Sequence, residues 1–224
     1  MIFIQKLQPM KKEISNYYGE KYFLWQKKMG EFGGKVETFK FKKHINKTDV
    51  VCDFGCGGGY LLKNIRCSKK IGIEINDVAR NHAIENGIDA FKFSDDIPEN
   101  YCDVIISNHA LEHTFNPHGE LEILHSKLKK NGKIIFIVPN EKKWKWDAND
   151  CNKHLYTWCE MTLGNLFAFS GYEVLSVKEL VHKWPPYYYY IYEYFGDSFF
   201  YFTCKLYGYL CPKLSQVKIV AEKK

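Results

Sequence analysis

The chain has 224 residues, 46% of them hydrophobic and 26% charged, which is typical of one globular domain with room for an appendage. Neither end resembles a secretory signal, and no stretch is apolar for the roughly 18 residues that span a bilayer, so we expect a soluble, cytoplasmic protein. The net charge of +6 is spread over many lysines and excludes no partner, and the eight cysteines form no C-x-x-C pair, which disfavours disulfide and zinc frameworks.

The N-terminal part, residues 1–48, is polar and aromatic and predicts a helix over Met10–Met29 that ends at Gly30. From Asp49 onward, short apolar runs alternate with amphipathic stretches, which is the pattern of parallel strands joined by helices. The strands predicted in this part are Val50–Phe54, Lys70–Ile75, Ile88–Phe93, Cys102–Ser107 and Lys133–Val138.

The helices between the strands carry recognisable end signals. The first predicted helix is capped by Asn76 and runs to Asn86, before Gly87. The second begins at Asn116-Pro117 and ends at Asn131-Gly132, with Leu121, Leu124 and Leu128 on one face. The third begins at a capping box of Thr157 and Glu160 and ends at Ser170-Gly171. Two further strands, Glu173–Val181 and Gln216–Glu222, flank an aromatic segment that is too long for a hairpin.

The chain is therefore expected to be α/β with a doubly wound, mostly parallel sheet. Four parts are predicted along it: an N-terminal helical cap (1–48), an α/β core (49–183), an aromatic insertion (184–214) and the last strand of the core (215–224).

The segment Val50–Ile65, VVCDFGCGGGYLLKNI, places a glycine-rich turn directly after the first strand. A phosphate loop of the Walker type is excluded, because the glycines run into Tyr60-Leu61 instead of Lys followed by Ser or Thr. A dinucleotide fingerprint fits Gly55 and Gly57 but has Tyr60 at its third glycine, which disfavours a NAD-binding oxidoreductase. A purely structural tight turn would not require four glycines.

The pattern Asp53-x-Gly55-x-Gly57-x-Gly59 resembles the class I S-adenosylmethionine-dependent methyltransferases, in particular the small bacterial type that acts on surface sugars and secondary metabolites. The resemblance covers roughly Val50–Val138 and implies a seven-stranded sheet whose last strand is antiparallel. It further implies that S-adenosylmethionine binds at the turn Gly55, Cys56, Gly57 and Gly59 and leaves as S-adenosylhomocysteine, while Asp53 accepts a hydrogen bond from the ammonium group.

A second carboxylate, Glu74, lies at the tip of the second predicted strand, 17 positions after Gly57, where it is placed to accept both ribose hydroxyls. The resemblance also implies an acid near the adenine amino group, and Asp95 and Asp96 both remain open. The other positions that it assigns to the cofactor are Ile75 and Ile97 beside the adenine ring and Asn108 near the methyl group.

Histidines follow the fourth strand, and His109 is the first candidate for the base that deprotonates a hydroxyl acceptor. His154, before the third helix, is the second candidate, and His113 is either a third or a packing residue. The run His109-x-x-Glu112-His113 matches the inverted zinc-peptidase signature, but that signature requires one long helix and here a strand leads into it. Similar segments in quinone and small-RNA O-methyltransferases help bind a divalent cation, but our assignment here is no metal.

The aromatic insertion is predicted to be a lid over the acceptor, a homodimer contact or a membrane surface, and the sequence leaves these open. Its few charges include acids, so we expect no stable membrane insertion. We also expect no nucleic-acid partner, because there is no basic stripe or recognition motif. The sequence thus favours methyl transfer to a hydroxyl, or less so an amine, of a small-molecule or glycan acceptor. A non-catalytic cofactor-binding or partner protein of the same fold is the alternative.

Overall fold

A computed structural model describes residues 20–141, 145–150, 152–211 and 215–224. The described helices are α1 (Glu20–Val36), α2 (Tyr60–Lys63), α3 (Asp77–Glu85), α4 (Pro117–Lys127), α5 (Glu160–Phe169) and α6 (Tyr188–Leu210). The described strands are β1 (Val50–Phe54), β2 (Lys69–Ile73), β3 (Asp89–Phe91), β4 (Cys102–Asn108), β5 (Leu128–Asn140), β6 (Glu173–Leu180) and β7 (Ser215–Glu222). The first part of the helix predicted from Met10 lies outside the described residues.

The strands form one seven-stranded sheet in the order β3-β2-β1-β4-β5-β7-β6. Strand β1 pairs in parallel with β2 and with β4, and β2 pairs in parallel with β3. The last strand, β7, is antiparallel to both β5 and β6. This topology confirms the predicted doubly wound, mostly parallel sheet with an antiparallel final strand.

The chain divides into two compact units. The first comprises Met1–Ile106 and Ser126–Gly132, and the second comprises Ser107–His125 and Lys133–Lys224. Each has its own buried apolar core: Val51, Leu62, Ile71 and Ile105 in the first unit, and Ile135, Phe136, Phe167 and Phe200 in the second.

The N-terminal end of α3 forms as its sequence predicts. The Asn76 side chain accepts hydrogen bonds from the main-chain N–H groups of Val78 and Ala79, at 2.9 and 3.3 Å, and Gly87 follows the C-terminal end with a left-handed φ of 79°. This cap directs the chain from β2 into the helix immediately after Glu74.

The predicted end of α1 at Gly30 is wrong, because the helix continues to Val36 through Gly30, Gly33 and Gly34. Gly30 and Gly34 allow close packing of α1 against Tyr60 and do not end the helix. A Cβ atom at Gly34 would lie 2.5 Å from the carbonyl carbon of Tyr60, and one at Gly30 would lie 2.9 Å from the Tyr60 ring. Tyr60 occupies the third glycine position of the dinucleotide fingerprint, and the glycines of α1 make room for it.

Two further predicted helix ends differ from the structure. Helix α4 ends at Lys127 instead of Asn131-Gly132, because the carbonyls of Ser126 and Lys127 accept hydrogen bonds from Asn100 and Tyr101. Leu128 is still buried, but it begins β5.

The predicted capping box of α5 is also shifted. It is formed by Cys159 and Thr162 rather than by Thr157 and Glu160. The Thr157 hydroxyl instead accepts a hydrogen bond of 2.8 Å from the N–H of Glu141, so it connects two loops and does not cap the helix.

The aromatic insertion forms α6, which is interrupted at Gly196 (φ 74°, ψ −178°). The helix is attached to the second unit through Phe200, Cys204 and Gly208, which are buried. Many of its other aromatic side chains are exposed, including Tyr194 at 78%. Among the described residues, no helix has the length and apolarity needed to cross a membrane. A lid, a homodimer contact and a membrane surface all remain predictions for this helix.

Candidate active site

The glycine turn after β1 lies entirely in the first unit and is held by β2. Gly55 and Cys56 both donate main-chain hydrogen bonds to the carbonyl of Ile73, at 2.9 and 3.0 Å. Gly57 and Gly59 have left-handed φ values of 53° and 76°, which glycine adopts without strain.

Two glycines of the turn have different surroundings. A Cβ atom at Gly57 would meet nothing within 4 Å, whereas one at Gly59 would lie 2.7 Å from the Ile88 side chain and 3.2 Å from Ala83. Gly57 therefore leaves the main chain accessible to a ligand, and Gly59 lets the turn pack against the protein.

The carboxylate of Glu74 closes the turn from the next strand. Its Oε2 accepts a hydrogen bond of 2.9 Å from the N–H of Gly57, and its Oε1 accepts one of 2.8 Å from the N–H of Asn76. Arg80 donates to the Glu74 main-chain carbonyl at 2.9 Å. Because each carboxylate oxygen has a second lone pair, both oxygens retain the capacity to accept a hydroxyl.

The second acid of the turn, Asp53, is buried at the end of β1 and is only 2% exposed. Burial, together with the nearby charge of Glu74, raises the pKa of Asp53 well above its usual value. Burial also raises the pKa of Glu74. A cationic ligand, such as the ammonium group predicted to bind here, would favour the ionised form of both carboxylates.

The remaining cofactor candidates of the first unit lie around this turn and after β3. The Cys56 thiol is buried, and a Cβ atom at Gly72 would meet its Sγ at 2.5 Å. Ile97 is buried and Ile75 half-buried. Asp95 and Asp96 are both exposed, and Asp96 accepts a hydrogen bond of 3.1 Å from the N–H of Phe93.

In the second unit, Asn108 ends β4 and His109 follows it with a left-handed φ of 60°. The N–H of His109 donates to the carbonyl of Ile137 on β5, at 2.9 Å, which fixes the loop against that strand. The imidazole is one-third exposed, and its Nδ1 lies 3.3 Å from Oε1 of Glu112.

Glu112 is the most deeply buried acid of this loop, with no exposed side-chain surface. Burial opposes its ionisation, but the contact with His109 and the charges of His109 and His113 outweigh burial and hold the pKa of Glu112 below its usual value. Neither of its oxygens accepts a hydrogen bond of normal geometry.

His154 and His113 complete the same cluster. Nδ1 of His154 is 2.7 Å from Oε1 of Glu141, and its Nε2 is 4.0 Å from Oε1 of Glu112. The ring centres of His113 and His154 are 4.9 Å apart, and burial lowers the pKa of His113. The structure therefore brings all three histidine candidates together around Glu112.

Glu141 was not predicted as a site residue, because it is 13 positions from its partner His154. The available signal was its position directly after β5, where the carboxyl end of a strand often carries functional side chains.

Comparison with known proteins gives the class of the chain. Residues 25–177 match a family described as "Methyltransferase domain". Part of the chain is similar to the ubiquinone biosynthesis O-methyltransferase of Salmonella arizonae, with 28% identity over 108 residues that make up 43% of this chain and 45% of that protein. The chain thus spans less than half the length of the curated relatives that it matches.

Two solved structures show the same fold. A methyltransferase from Archaeoglobus fulgidus described as dependent on S-adenosylmethionine superimposes with a TM-score of 0.64 over 90% of this chain and 99% of that chain, at 19% identity. A putative methyltransferase of Haloferax volcanii, solved with the Trm112 methyltransferase activator, gives a TM-score of 0.65 at 16% identity and covers 93% of this chain and 97% of that chain.

The chain belongs to the methyltransferase-domain family, since the match covers well over half of its residues. Its fold is the Rossmann-like fold of the S-adenosylmethionine-dependent methyltransferases, as the glycine turn and the following acid predicted from the sequence.

Proposed function

We propose that this protein transfers a methyl group from S-adenosylmethionine to a hydroxyl of a small or carrier-linked acceptor, such as a sugar or metabolite. The observation that carries the hydroxyl assignment is the pairing of His109 with the buried carboxylate of Glu112, at 3.3 Å. A neutral hydroxyl is a poor nucleophile until its proton has a base to accept it, and an imidazole oriented by a carboxylate is such a base.

The reaction requires one proton transfer and one methyl transfer. The Nδ1 atom of His109 faces Glu112, so Nε2 is the atom that accepts the hydroxyl proton. The acceptor oxygen forms a bond to the methyl carbon as the carbon–sulfur bond breaks, and the electron pair of that bond remains on sulfur. Sulfur thereby loses its positive charge, and S-adenosylhomocysteine is released with the methylated acceptor.

The cofactor is assigned to the first unit. Asp53 accepts from the ammonium group, Glu74 accepts from the two ribose hydroxyls, and the turn from Gly55 to Gly59 approaches the ribose and amino-acid portions. Asp95 and Asp96, the two acids after β3, both remain candidates for the adenine amino group, and Asp96 is held in place by the N–H of Phe93.

The curated relatives support a hydroxyl acceptor, since they are named as O-methyltransferases. The partners of the chain follow from the same proposal: a small-molecule or glycan acceptor, no nucleic acid and no stable membrane insertion.

The His109→Ala variant should lower the turnover rate about 10²–10⁴-fold and leave the Kd for S-adenosylmethionine unchanged, because it removes the base without touching the glycine turn. The assay follows transfer of the labelled methyl group of S-adenosylmethionine to matched acceptors that differ only in a hydroxyl or an amino group. Wild-type protein should methylate the hydroxyl member of each pair.

His118→Ala is the matched control, since His118 also pairs with a glutamate, Glu122, but on the exposed face of α4. It should keep full activity. Methylation of the amino acceptors alone, or full hydroxyl methylation by the His109→Ala variant, would contradict the proposal. Cofactor binding without turnover on any acceptor would favour the non-catalytic alternative.

A further inference from the structure

We propose that helix α6 pairs with the α6 of a second copy of this chain, so that the protein forms a two-fold symmetric dimer. One face of α6 carries a row of apolar side chains, each 45–70% exposed. We call this row the outer stripe, and it comprises Phe195, Phe199, Phe202, Leu206, Tyr209 and Leu210. The pairing does not depend on the proposed methyl transfer.

The spacing of the outer stripe is that of a seam between two helices. From Phe195 to Tyr209 its members follow one another at intervals of four, three, four and three residues. This repeat brings apolar side chains into one narrow line, which is the arrangement by which two helices pack along each other. The ring centres of Phe195 and Phe199 are 5.0 Å apart and those of Phe199 and Phe202 are 6.4 Å apart, so the stripe is continuous across the interruption at Gly196.

The opposite face of α6 is attached to its own unit. Phe200, Cys204 and Gly208 recur at every fourth position and are buried. A Cβ atom at Gly208 would lie 2.8 Å from the Val181 side chain, and the N–H of Lys183 donates to the carbonyl of Cys204 at 3.2 Å. The helix is thus held from one side, and the outer stripe lies on the other side.

The area of the outer stripe matches a dimer contact. A fully buried Phe or Tyr side chain removes about 150–250 Å² from water, so six side chains at about half to two-thirds exposure present about 600–800 Å². A specific protein–protein interface buries about 800 Å² on each partner, whereas the largest apolar patch on a typical monomer is about 300–600 Å². The stripe is therefore larger than the apolar patch that a monomer ordinarily exposes.

The charges of α6 favour a second copy over a membrane surface. The helix has two acidic residues, Glu193 and Asp197, and one basic residue, Lys205. Helices that lie on anionic membranes are rich in Lys and Arg on their polar face, which α6 is not. None of its three charged residues belongs to the outer stripe, so two stripes pair without burying a charge.

Two identical stripes are self-complementary, as a two-fold interface requires. Phe202 lies in the middle of the stripe, which extends from Phe195 to Leu210. When two stripes overlap fully, Phe202 lies beside its own counterpart, whether the two helices run in the same or in opposite directions. A charge at this position would therefore enter the centre of the interface twice.

The test is the mass of the full chain by sedimentation equilibrium at micromolar concentrations. Wild-type protein should have twice the 26.4 kDa mass of one chain. The Phe202→Asp variant should raise the dimer Kd at least about 100-fold, because it places two carboxylates in a contact that excludes water. Leu206→Asp, one turn further along the stripe, should raise it at least about tenfold.

Phe169→Asp is the matched control. Phe169 is 82% exposed at the end of α5 in the same unit, but it lies outside α6. This variant should have the dimer Kd of wild-type protein. Phe202 is 60% exposed in the single chain, so Phe202→Asp should stay folded, which circular dichroism verifies.

Wild-type protein that keeps the mass of one chain up to about 100 µM would overturn the proposal. Dimers of Phe202→Asp and Leu206→Asp that are as tight as those of wild-type protein would overturn it as well. Sedimentation with vesicles of phosphatidylcholine and phosphatidylserine is measured in parallel. Monomeric wild-type protein that binds these vesicles, and loses that binding in Phe202→Asp, would assign the outer stripe to a membrane surface instead.

Discussion

The Glu74→Ala variant should bind S-adenosylmethionine at least about 100-fold more weakly than wild-type protein. Both carboxylate oxygens accept main-chain N–H groups, which hold them in place, and the proposed function assigns them the two ribose hydroxyls. A hydrogen bond to a charged group contributes about 1.5–3 kcal/mol, so the loss of two corresponds to two or more orders of magnitude in Kd. Calorimetric titration measures the change directly.

Glu85→Ala is the matched control, because Glu85 is an exposed acid on α3 in the same unit. It should leave the Kd unchanged. Titration with S-adenosylhomocysteine and with its analogue that lacks the ribose 2′-hydroxyl then distinguishes two roles of Glu74. One role is direct contact with the ribose, and the other is support of the glycine turn. The analogue should bind wild-type protein more weakly than the parent ligand, and Glu74→Ala should remove most of that difference. An undiminished difference in the variant would show that Glu74 acts only on the turn.

The Gly57→Ala and Gly59→Ala variants should separate ligand binding from stability. Both substitutions place alanine in a left-handed conformation, which costs about 1–2 kcal/mol. At Gly57 the added Cβ meets no protein atom, so the main further effect should be a loss of S-adenosylmethionine affinity of tenfold or more, about 1.4 kcal/mol, because the methyl group occupies the space that the ligand approaches.

At Gly59 the Cβ meets Ile88 and Ala83, so the free energy of unfolding should fall by about 1–3 kcal/mol more than for Gly57→Ala. Urea unfolding and calorimetric titration of both variants test the pair. If Gly57→Ala is folded and keeps wild-type affinity, the ligand does not approach this part of the turn.

The sequence predicted those parts of the fold whose determinants are local. Strand β1 was predicted with the bounds that the structure shows, because an apolar run is bounded by Asp49 and the glycine turn. The start of α3 was predicted from Asn76, a side chain that caps its own helix. The position of Glu74 beside the glycine turn was also predicted, because the turn follows β1 and Glu74 follows the next strand along the chain.

The errors concern residues whose role depends on a distant partner. Gly30 was interpreted as a helix stop because its neighbour in space, Tyr60, is not near it in the chain. Thr157 was interpreted as a helix cap, but its hydroxyl binds the N–H of Glu141. The contact of Glu141 with His154 was missed for the same reason, since the two residues lie 13 positions apart in the chain.

The most direct test of the account is calorimetric titration of wild-type protein with S-adenosylmethionine, S-adenosylhomocysteine and NAD. Micromolar binding of both S-adenosyl compounds and no heat with NAD are expected, because the chain belongs to the methyltransferase-domain family and has Tyr60 at the third glycine position of the dinucleotide fingerprint. Binding of NAD alone, or no binding of either S-adenosyl compound, would contradict it.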